Sequence, residues 1–113
     1  MKKYIVIYHA PKDMMEQAAE LSPEERKKEM ESWMEWAQKC GDKLVDMGAP
    51  LMGGVKLSPD GSSAMSRKDV TGFSILQAES MDKAKVLLEG HPHLQYNADC
   101  EIEIHEAMPL PGS

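Results

Sequence analysis

Residues 4–9 read Tyr4-Ile5-Val6-Ile7-Tyr8-His9, and this run decides the fold class. Its side chains are apolar at odd and even positions alike, which is typical of a strand that is covered on both faces. A second run, Val70–Ala78, is largely uncharged on both faces in the same way, with Phe73 and Ile75 on one of them. The sequence therefore predicts a sheet whose central strands are buried from both sides.

The best-marked helix begins at Ser22-Pro23-Glu24-Glu25, where an N-cap serine, a first-turn proline and a third-position glutamate form a capping box. An apolar stripe at three- and four-residue spacing follows it. Glycine often terminates helices, so we predict one helix between Ser22 and Gly48. The stripe consists of Met30, Trp33, Met34, Ala37, Cys40, Leu44, Val45 and Met47.

The other elements are predicted from turn signals and alternating apolar residues. They are a helix or turn at 13–21, a strand at 50–57, a hairpin tip at 58–69, the strand Val70–Ala78, a helix between Ser80 and Gly90, a loop at 91–94 and a strand at 99–108. The resulting order is β-α-β-β-α-β. We therefore predict a single α+β domain over 1–113, with a ferredoxin-like four-stranded antiparallel sheet.

A homodimer follows from the same pattern. Two helices cover only one face of a four-stranded sheet, whereas the central strands are apolar on both faces. A second copy packed through a two-fold axis is the economical cover for the other face. The sequence thus predicts a dimeric α+β barrel joined through its sheet faces.

Charge and composition exclude several function classes. The 19 acidic residues outnumber the 13 basic ones, for a net charge of −6, which disfavours nucleic-acid binding. No apolar run approaches the roughly 18 residues that span a bilayer. The apolar start is too short and too strand-like for a signal peptide, so we expect a cytoplasmic protein. Cys40 and Cys100 have no metal or redox spacing and are interpreted as reduced, packed thiols.

Histidines and tryptophans supply the candidate ligand-binding residues. His91 and His93 flank a proline in a helix-to-strand loop, and we expect both to line a small-molecule pocket. Such a pair could also bind a metal, but the spacing supplies no third ligand, so neither metal nor cofactor is predicted. His9 ends the first strand, where it either lines the pocket or makes a plain hydrogen bond. Trp33 and Trp36 share one helix face, either as core or as the wall of a ligand cavity.

Five segments carry a family resemblance: Tyr4-Ile5-Val6-Ile7-Tyr8, Asp46-Met47-Gly48-Ala49-Pro50-Leu51, Gly72-Phe73-Ser74-Ile75 leading into Ala84-Lys85, His91-Pro92, and Ile102-Glu103-Ile104. In this order they resemble the YCII-related family over nearly the whole chain. The resemblance implies a homodimeric α+β barrel of ferredoxin-like subunits. Some members look like small-molecule lyases with a histidine on the first helix and an aspartate just before a proline. Ser32 and His91 stand at those positions here, so the implied His–Asp pair is absent.

These observations lead us to expect a small organic ligand in a pocket near His91. Two alternatives remain open. The protein is either an enzyme in which His91, with an unperturbed pKa of about 6.5, is the acid–base group, or a non-catalytic module whose dimer surface is its function.

Overall fold

The computed structural model describes residues 1–11, 22–66, 69–96 and 98–111, and the expected helix or turn at 13–21 lies outside them. The elements are β1 (Lys2–His9), α1 (Pro23–Cys40), a 3-10 turn (Gly41–Lys43), β2 (Leu44–Pro50), β3 (Val55–Leu57), β4 (Ser63–Met65), β5 (Val70–Ala78), α2 (Met81–Leu87), α3 (Pro92–Tyr96) and β6 (Glu101–Ala107).

Four of the strands form an antiparallel sheet in the order β2-β5-β1-β6. The predicted α+β class with a four-stranded antiparallel sheet is therefore confirmed. The inner strands are β1 and β5, which are the two runs that are apolar on both faces. Val6 illustrates the register, since it lies opposite Ser74 on one side and Ile104 on the other.

The predicted start of α1 is confirmed. The Ser22 hydroxyl oxygen accepts a hydrogen bond from the backbone N–H of Glu25 at 3.2 Å, and Pro23 occupies the first turn. These contacts satisfy the first turn of the helix, whose N–H groups have no partner within the helix itself.

The predicted end of this helix at Gly48 is wrong. α1 ends at Cys40, because Gly41 takes a positive φ of 58° and its N–H bonds back to the Ala37 carbonyl oxygen. Residues 44–47 belong to β2, which pairs with β5. The apolar residues in this segment are therefore strand residues and do not continue the helix.

Two further expectations are corrected by the structure. The segment predicted as one strand at 50–57 is divided, because its first residue ends β2 while β3 pairs with β4 in a separate two-stranded hairpin. The expected loop at 91–94 contains α3, which begins at Pro92, a position where a missing N–H is tolerated. The strand Val70–Ala78 has the predicted bounds, and Ser80 caps α2 as expected.

The main core lies on one face of the sheet. β1 and β5 contribute alternate residues to it, and α1 and α2 pack onto them. The core residues are Tyr4, Val6, Tyr8, Trp36, Cys40, Leu76, Ala78, Ala84 and Leu88. The intervening residues Ile5, Ile7, Phe73 and Ile75 point to the opposite side and are only half-buried. We call the side of the sheet that carries these four residues the open face.

Candidate functional site

A cleft of about 440 Å³ opens between α1 and the sheet. Its volume falls within the range of small-molecule pockets, about 300–1,000 Å³. Large apolar and aromatic side chains form most of the wall, and a few polar side chains stand among them. The lining residues are Tyr8, Arg26, Glu29, Met30, Trp33, Met47, Gly48, Ala49, Pro50, Thr71, Gly72, Phe73 and His93.

His91 lies between α2 and α3 and is fully buried, and its contacts fix its protonation state. Its Nδ1 accepts a hydrogen bond from the backbone N–H of His93 at 2.9 Å, so Nδ1 carries no proton. The proton of the neutral ring is therefore on Nε2. Nε2 donates it to the Tyr8 hydroxyl oxygen, 3.3 Å away.

The hydrogen bonds continue from Tyr8 into β5 and β2. The Ser74 hydroxyl donates to the backbone carbonyl of Met47 at 2.7 Å, so its oxygen accepts the 2.7 Å hydrogen bond from the Tyr8 hydroxyl. Every proton in the series His91–Tyr8–Ser74–Met47 thus has one acceptor. We call this series the buried hydrogen-bond chain. It joins β1, β5 and β2 to His91, the residue before α3. Because Tyr8 and Met47 line the cleft, the chain also supports the cleft wall.

Burial sets the charge state of this chain. Desolvation lowers the pKa of His91 to about 3, and the neighbouring His93 adds a smaller contribution in the same direction. Desolvation also raises the pKa of Tyr8 to about 12, against the opposing effect of its hydrogen bond with Ser74. Both side chains are uncharged at neutral pH. The expectation that His91 titrates near 6.5 is therefore not met.

Trp33 and Trp36 enclose the His91 ring, with centroid distances of 4.5 Å and 4.4 Å. Trp36 is buried, and its indole N–H donates to the carbonyl of Leu87 at 2.9 Å, which makes it part of the core. Trp33 packs edge-on against Tyr8 at 5.1 Å and lines the cleft. Trp36 thus fits the core interpretation of the pair, whereas Trp33 lines the cleft and its contact with a ligand stays a prediction.

His93 also lines the cleft. Its Nε2 donates to the backbone carbonyl of His9 at 2.8 Å, and its ring lies 5.2 Å from that of Tyr8. Because a carbonyl oxygen only accepts, Nε2 carries the proton. In the neutral ring, Nδ1 is consequently an acceptor.

The side chain of His9 lies on the open face and does not line the cleft. Its Nδ1 is 2.8 Å from Asp69, and its Nε2 is 2.6 Å from Glu103. Glu103, which lies opposite Ile7 in the sheet, also bonds to His105 at 2.8 Å, and this bond is the main reason that its pKa is lowered. The structure therefore gathers His91, His93, Trp33 and Trp36 around Tyr8, and His9 meets this group only through its backbone.

The ligands that a metal would need are not assembled around His91. Both of its ring nitrogens have hydrogen-bond partners, and one ring nitrogen of His93 is bonded to His9. Within the described residues, no group of three or more His, Cys, Asp or Glu side chains could hold a metal ion. Ser32, which stands where lyase-like members have a histidine, is exposed and donates to the backbone of Lys28 at 3.2 Å.

Sequence reasoning missed four residues that shape the site: Tyr8, Glu29, Gly48 and Ser74. A hydroxyl in a buried strand needs a partner, so Tyr8 and Ser74 were detectable as a possible pair. Gly48 has a φ of 82°, and a Cβ there would overlap the carbonyl oxygen of Phe73. Gly48 could have been found from the sequence, because it belongs to Asp46-Met47-Gly48-Ala49-Pro50-Leu51, one of the five segments that carry the family resemblance. Glu29 carried no signal, because glutamates are common throughout α1.

The cleft and the buried hydrogen-bond chain lie in a segment that matches a known domain. Residues 1–107 match the YCII-related domain. The chain belongs to the YCII-related family. The resemblance carried by the five sequence segments is thus confirmed. Comparison with curated proteins gives no match. In the parts of this YCII-related chain that the structure describes, no helix is long and apolar enough to cross a membrane.

Proposed function

We propose that this YCII-related protein binds a small organic ligand in the cleft between α1 and the sheet, and that it does so as a homodimer. The cleft itself carries the ligand proposal. It is preformed, has a volume of about 440 Å³, and is walled by Tyr8, Met30 and Trp33 with His93 beside them. Concave sites with apolar walls and a few polar groups are typical of ligand pockets.

The proposed site is centred on Trp33 and His93. His91 lies behind the cleft wall and supports the site through its hydrogen bond with Tyr8. His91 is fully buried, and both of its nitrogens are occupied, so its ring is a positioning group for Tyr8. Its pKa of about 3 leaves it neutral at physiological pH, which favours binding over acid–base catalysis by this residue.

A thermal-shift screen of small aromatic and aliphatic metabolites tests the cleft. A ligand at a hundred times its dissociation constant stabilises the folded protein by about 2.7 kcal/mol. We expect the shift to disappear in Trp33→Leu and to persist in Met34→Leu, since Met34 is the exposed neighbour on the same helix. A shift that survives Trp33→Leu, or a screen in which no compound stabilises the protein, would contradict the proposal.

The homodimer proposal rests on the open face and on the surface area of the chain. The accessible surface is 8277 Å², whereas a compact monomer of 12.6 kDa exposes roughly 6,200 Å². The radius of gyration is 15.7 Å, against about 13 Å for a compact domain of this length. The excess area is larger than the roughly 800 Å² that one partner contributes to a standard interface. A second copy on the open face would cover Ile5, Ile7, Phe73 and Ile75.

The strand order β2-β5-β1-β6, with α1 and α2 packed on one face, supports a ferredoxin-like subunit. Two such subunits joined through their open faces would form the dimeric α+β barrel that the family resemblance implies. The four apolar residues of the open face would then lie inside that barrel, and the cleft would remain accessible on the helical side.

Light scattering after size-exclusion chromatography tests the dimer. We expect the wild type to have twice the chain mass of 12.6 kDa, and Ile75→Lys on the open face to have the mass of one chain. Val86→Lys is the matched control, because Val86 is exposed on α2 and its replacement should leave the dimer intact. Circular dichroism establishes that each variant is folded. A monomeric wild type, or a folded Ile75→Lys dimer, would contradict the proposal.

We also assign the protein to a reducing compartment, the cytoplasm. Cys40 and Cys100 are buried, and no disulfide joins them. Burial raises the pKa of Cys40, which favours the thiol over the reactive thiolate. Cysteines that form no disulfide are typical of proteins in reducing surroundings.

A further inference from the structure

The two hydroxyl groups on the cleft wall, those of Tyr8 and Thr71, have already given their protons to hydrogen bonds within the protein. The Tyr8 hydroxyl accepts from His91 and gives its only proton to Ser74. The Thr71 hydroxyl donates to the backbone carbonyl of Tyr8 at 3.3 Å. Arg26 likewise has an interaction partner already. A ligand that needs a donor from either hydroxyl would have to displace an existing contact.

Two side-chain hydrogen-bond acceptors on the cleft wall have no partner among the described residues. Glu29 lies one turn before Trp33 on α1, is half-buried, and makes no hydrogen bond or ion pair with the residues that the structure describes. His93 holds the His9 carbonyl through Nε2, which leaves Nδ1 as a second acceptor in the neutral ring. Glu29 and His93 line the same cleft, so a carboxylate and an imidazole nitrogen are both available to a ligand there.

We propose that the cleft takes a small organic amine, whose ammonium group faces Glu29 and His93 and whose apolar body packs against Trp33. This inference rests on the ligand-binding function proposed above and names the chemical class of that ligand. Hydrogen bonds between a cationic donor and a carboxylate are roughly twice as strong as neutral ones. The faces of Trp33 and Tyr8 also attract cations, and the net charge of −6 draws them toward the protein. An anionic ligand would be repelled by Glu29.

Three probes with one aromatic body and different polar ends test the ligand class. Phenethylamine is the cation, phenethyl alcohol the neutral analogue and hydrocinnamate the anion. Dissociation constants are measured for the full chain by quenching of tryptophan fluorescence at neutral pH and low salt. We expect the amine to bind about tenfold more tightly than the alcohol, and hydrocinnamate to bind most weakly.

Charge-removing variants then assign this preference to one residue. Glu29→Gln keeps the size of the side chain, and we expect it to reduce amine affinity about tenfold while changing alcohol affinity less than about twofold. Glu35→Gln is the matched control, because Glu35 is exposed on the same helix and does not line the cleft. Its amine affinity should equal that of the wild type. Should Glu29→Gln fail to fold, the ranking of the three probes on the wild type decides the question alone.

The outcomes separate the ligand class from the site. Equal binding of amine and alcohol that is insensitive to Glu29→Gln and lost in Trp33→Leu would overturn the amine proposal and leave the cleft as a ligand site. Tightest binding of hydrocinnamate, weakened in Arg26→Gln, would overturn it in favour of anions. No binding of any probe at millimolar concentration, together with a screen in which no compound stabilises the protein, would overturn both proposals.

Discussion

The Nε2 atom of His91 lies 3.3 Å from the hydroxyl oxygen of Tyr8, and 83 positions in the chain separate the two residues. The backbone N–H of His93 occupies the other ring nitrogen at 2.9 Å. A proton on that nitrogen would oppose this N–H, so the folded protein holds His91 in its neutral form. The unfolded chain has no such constraint, and its histidine binds a proton near pH 6.5.

Acid is therefore expected to destabilise the fold through His91. The folded-state pKa is about 3, below the unfolded value of about 6.5, so the unfolded chain binds an additional proton between these values. Above about pH 6.5 the contribution of His91 to stability is fully present, and it declines as the pH falls toward 3. Urea unfolding at about pH 7.5 and about pH 5 measures the decline. We expect the wild type to lose more stability than His91→Gln, and equal losses would contradict this assignment.

Tyr4 and Tyr8 form a matched pair, since both are buried on the same side of β1. Tyr8 has two hydrogen-bond partners, whereas the Tyr4 hydroxyl has none among the described residues. Tyr8→Phe should lower the free energy of unfolding by about 1–3 kcal/mol, because it strands the donor on His91. Tyr4→Phe should leave that free energy unchanged or raise it by up to about 1 kcal/mol, since an unpaired buried hydroxyl is unfavourable. Denaturant unfolding compares them, and a larger loss in Tyr4→Phe would show that its hydroxyl is bonded.

Gly48 should tolerate no side chain. Its φ is 82°, and a Cβ would overlap the carbonyl oxygen of Phe73 in the neighbouring strand. Gly48→Ala is expected to lower the free energy of unfolding by about 4 kcal/mol or to prevent folding. Gly61→Ala is the control, because Gly61 has a similar φ of 88° with open space around it. The control should lose only about 1–2 kcal/mol, the penalty of a left-handed backbone with a side chain, and similar losses at both sites would exclude the steric explanation.

The two cysteines should be unreactive in the folded protein. Cys40 and Cys100 are both buried, and burial raises the pKa of the Cys40 thiol. We expect little reaction with Ellman's reagent under native conditions and two thiols per chain in concentrated guanidinium chloride. Rapid native labelling would show that these positions open to solvent.

The fold was predictable wherever hydropathy alone determines the structure. The strand Val70–Ala78 has its predicted bounds because its apolar run is bordered by polar residues. The end of α1 was not predictable in this way. Cys40, Leu44 and Met47 continue the helical spacing across the true boundary, which depends on the backbone conformation of Gly41. The helix α3 was missed because five residues are too few to establish a period.

Of the candidate site, the sequence supplied residue types but not their partners. Trp33 and His93 line the cleft. His9 was expected beside them because it ends β1, yet the two-residue period of a strand places its side chain with Ile5 and Ile7. The hydrogen bonds that run from His91 through Tyr8 to Ser74 join residues far apart in the chain, and no local pattern encodes them. Burial, which changes the pKa of His91 so strongly, depends on these same long-range contacts.

The two sides of β1 serve different surroundings, since Tyr4, Val6 and Tyr8 meet the helices while Ile5 and Ile7 form part of the open face. The side-chain period of a strand is two residues, so the gain or loss of a single codon within β1 would exchange the two sets. With one residue inserted after Tyr4, Tyr8 would leave His91, and Ile7 would take its place under α1. Replacing one apolar residue of this strand by another therefore preserves its two faces. A change of one codon between Tyr4 and Tyr8 does not preserve them.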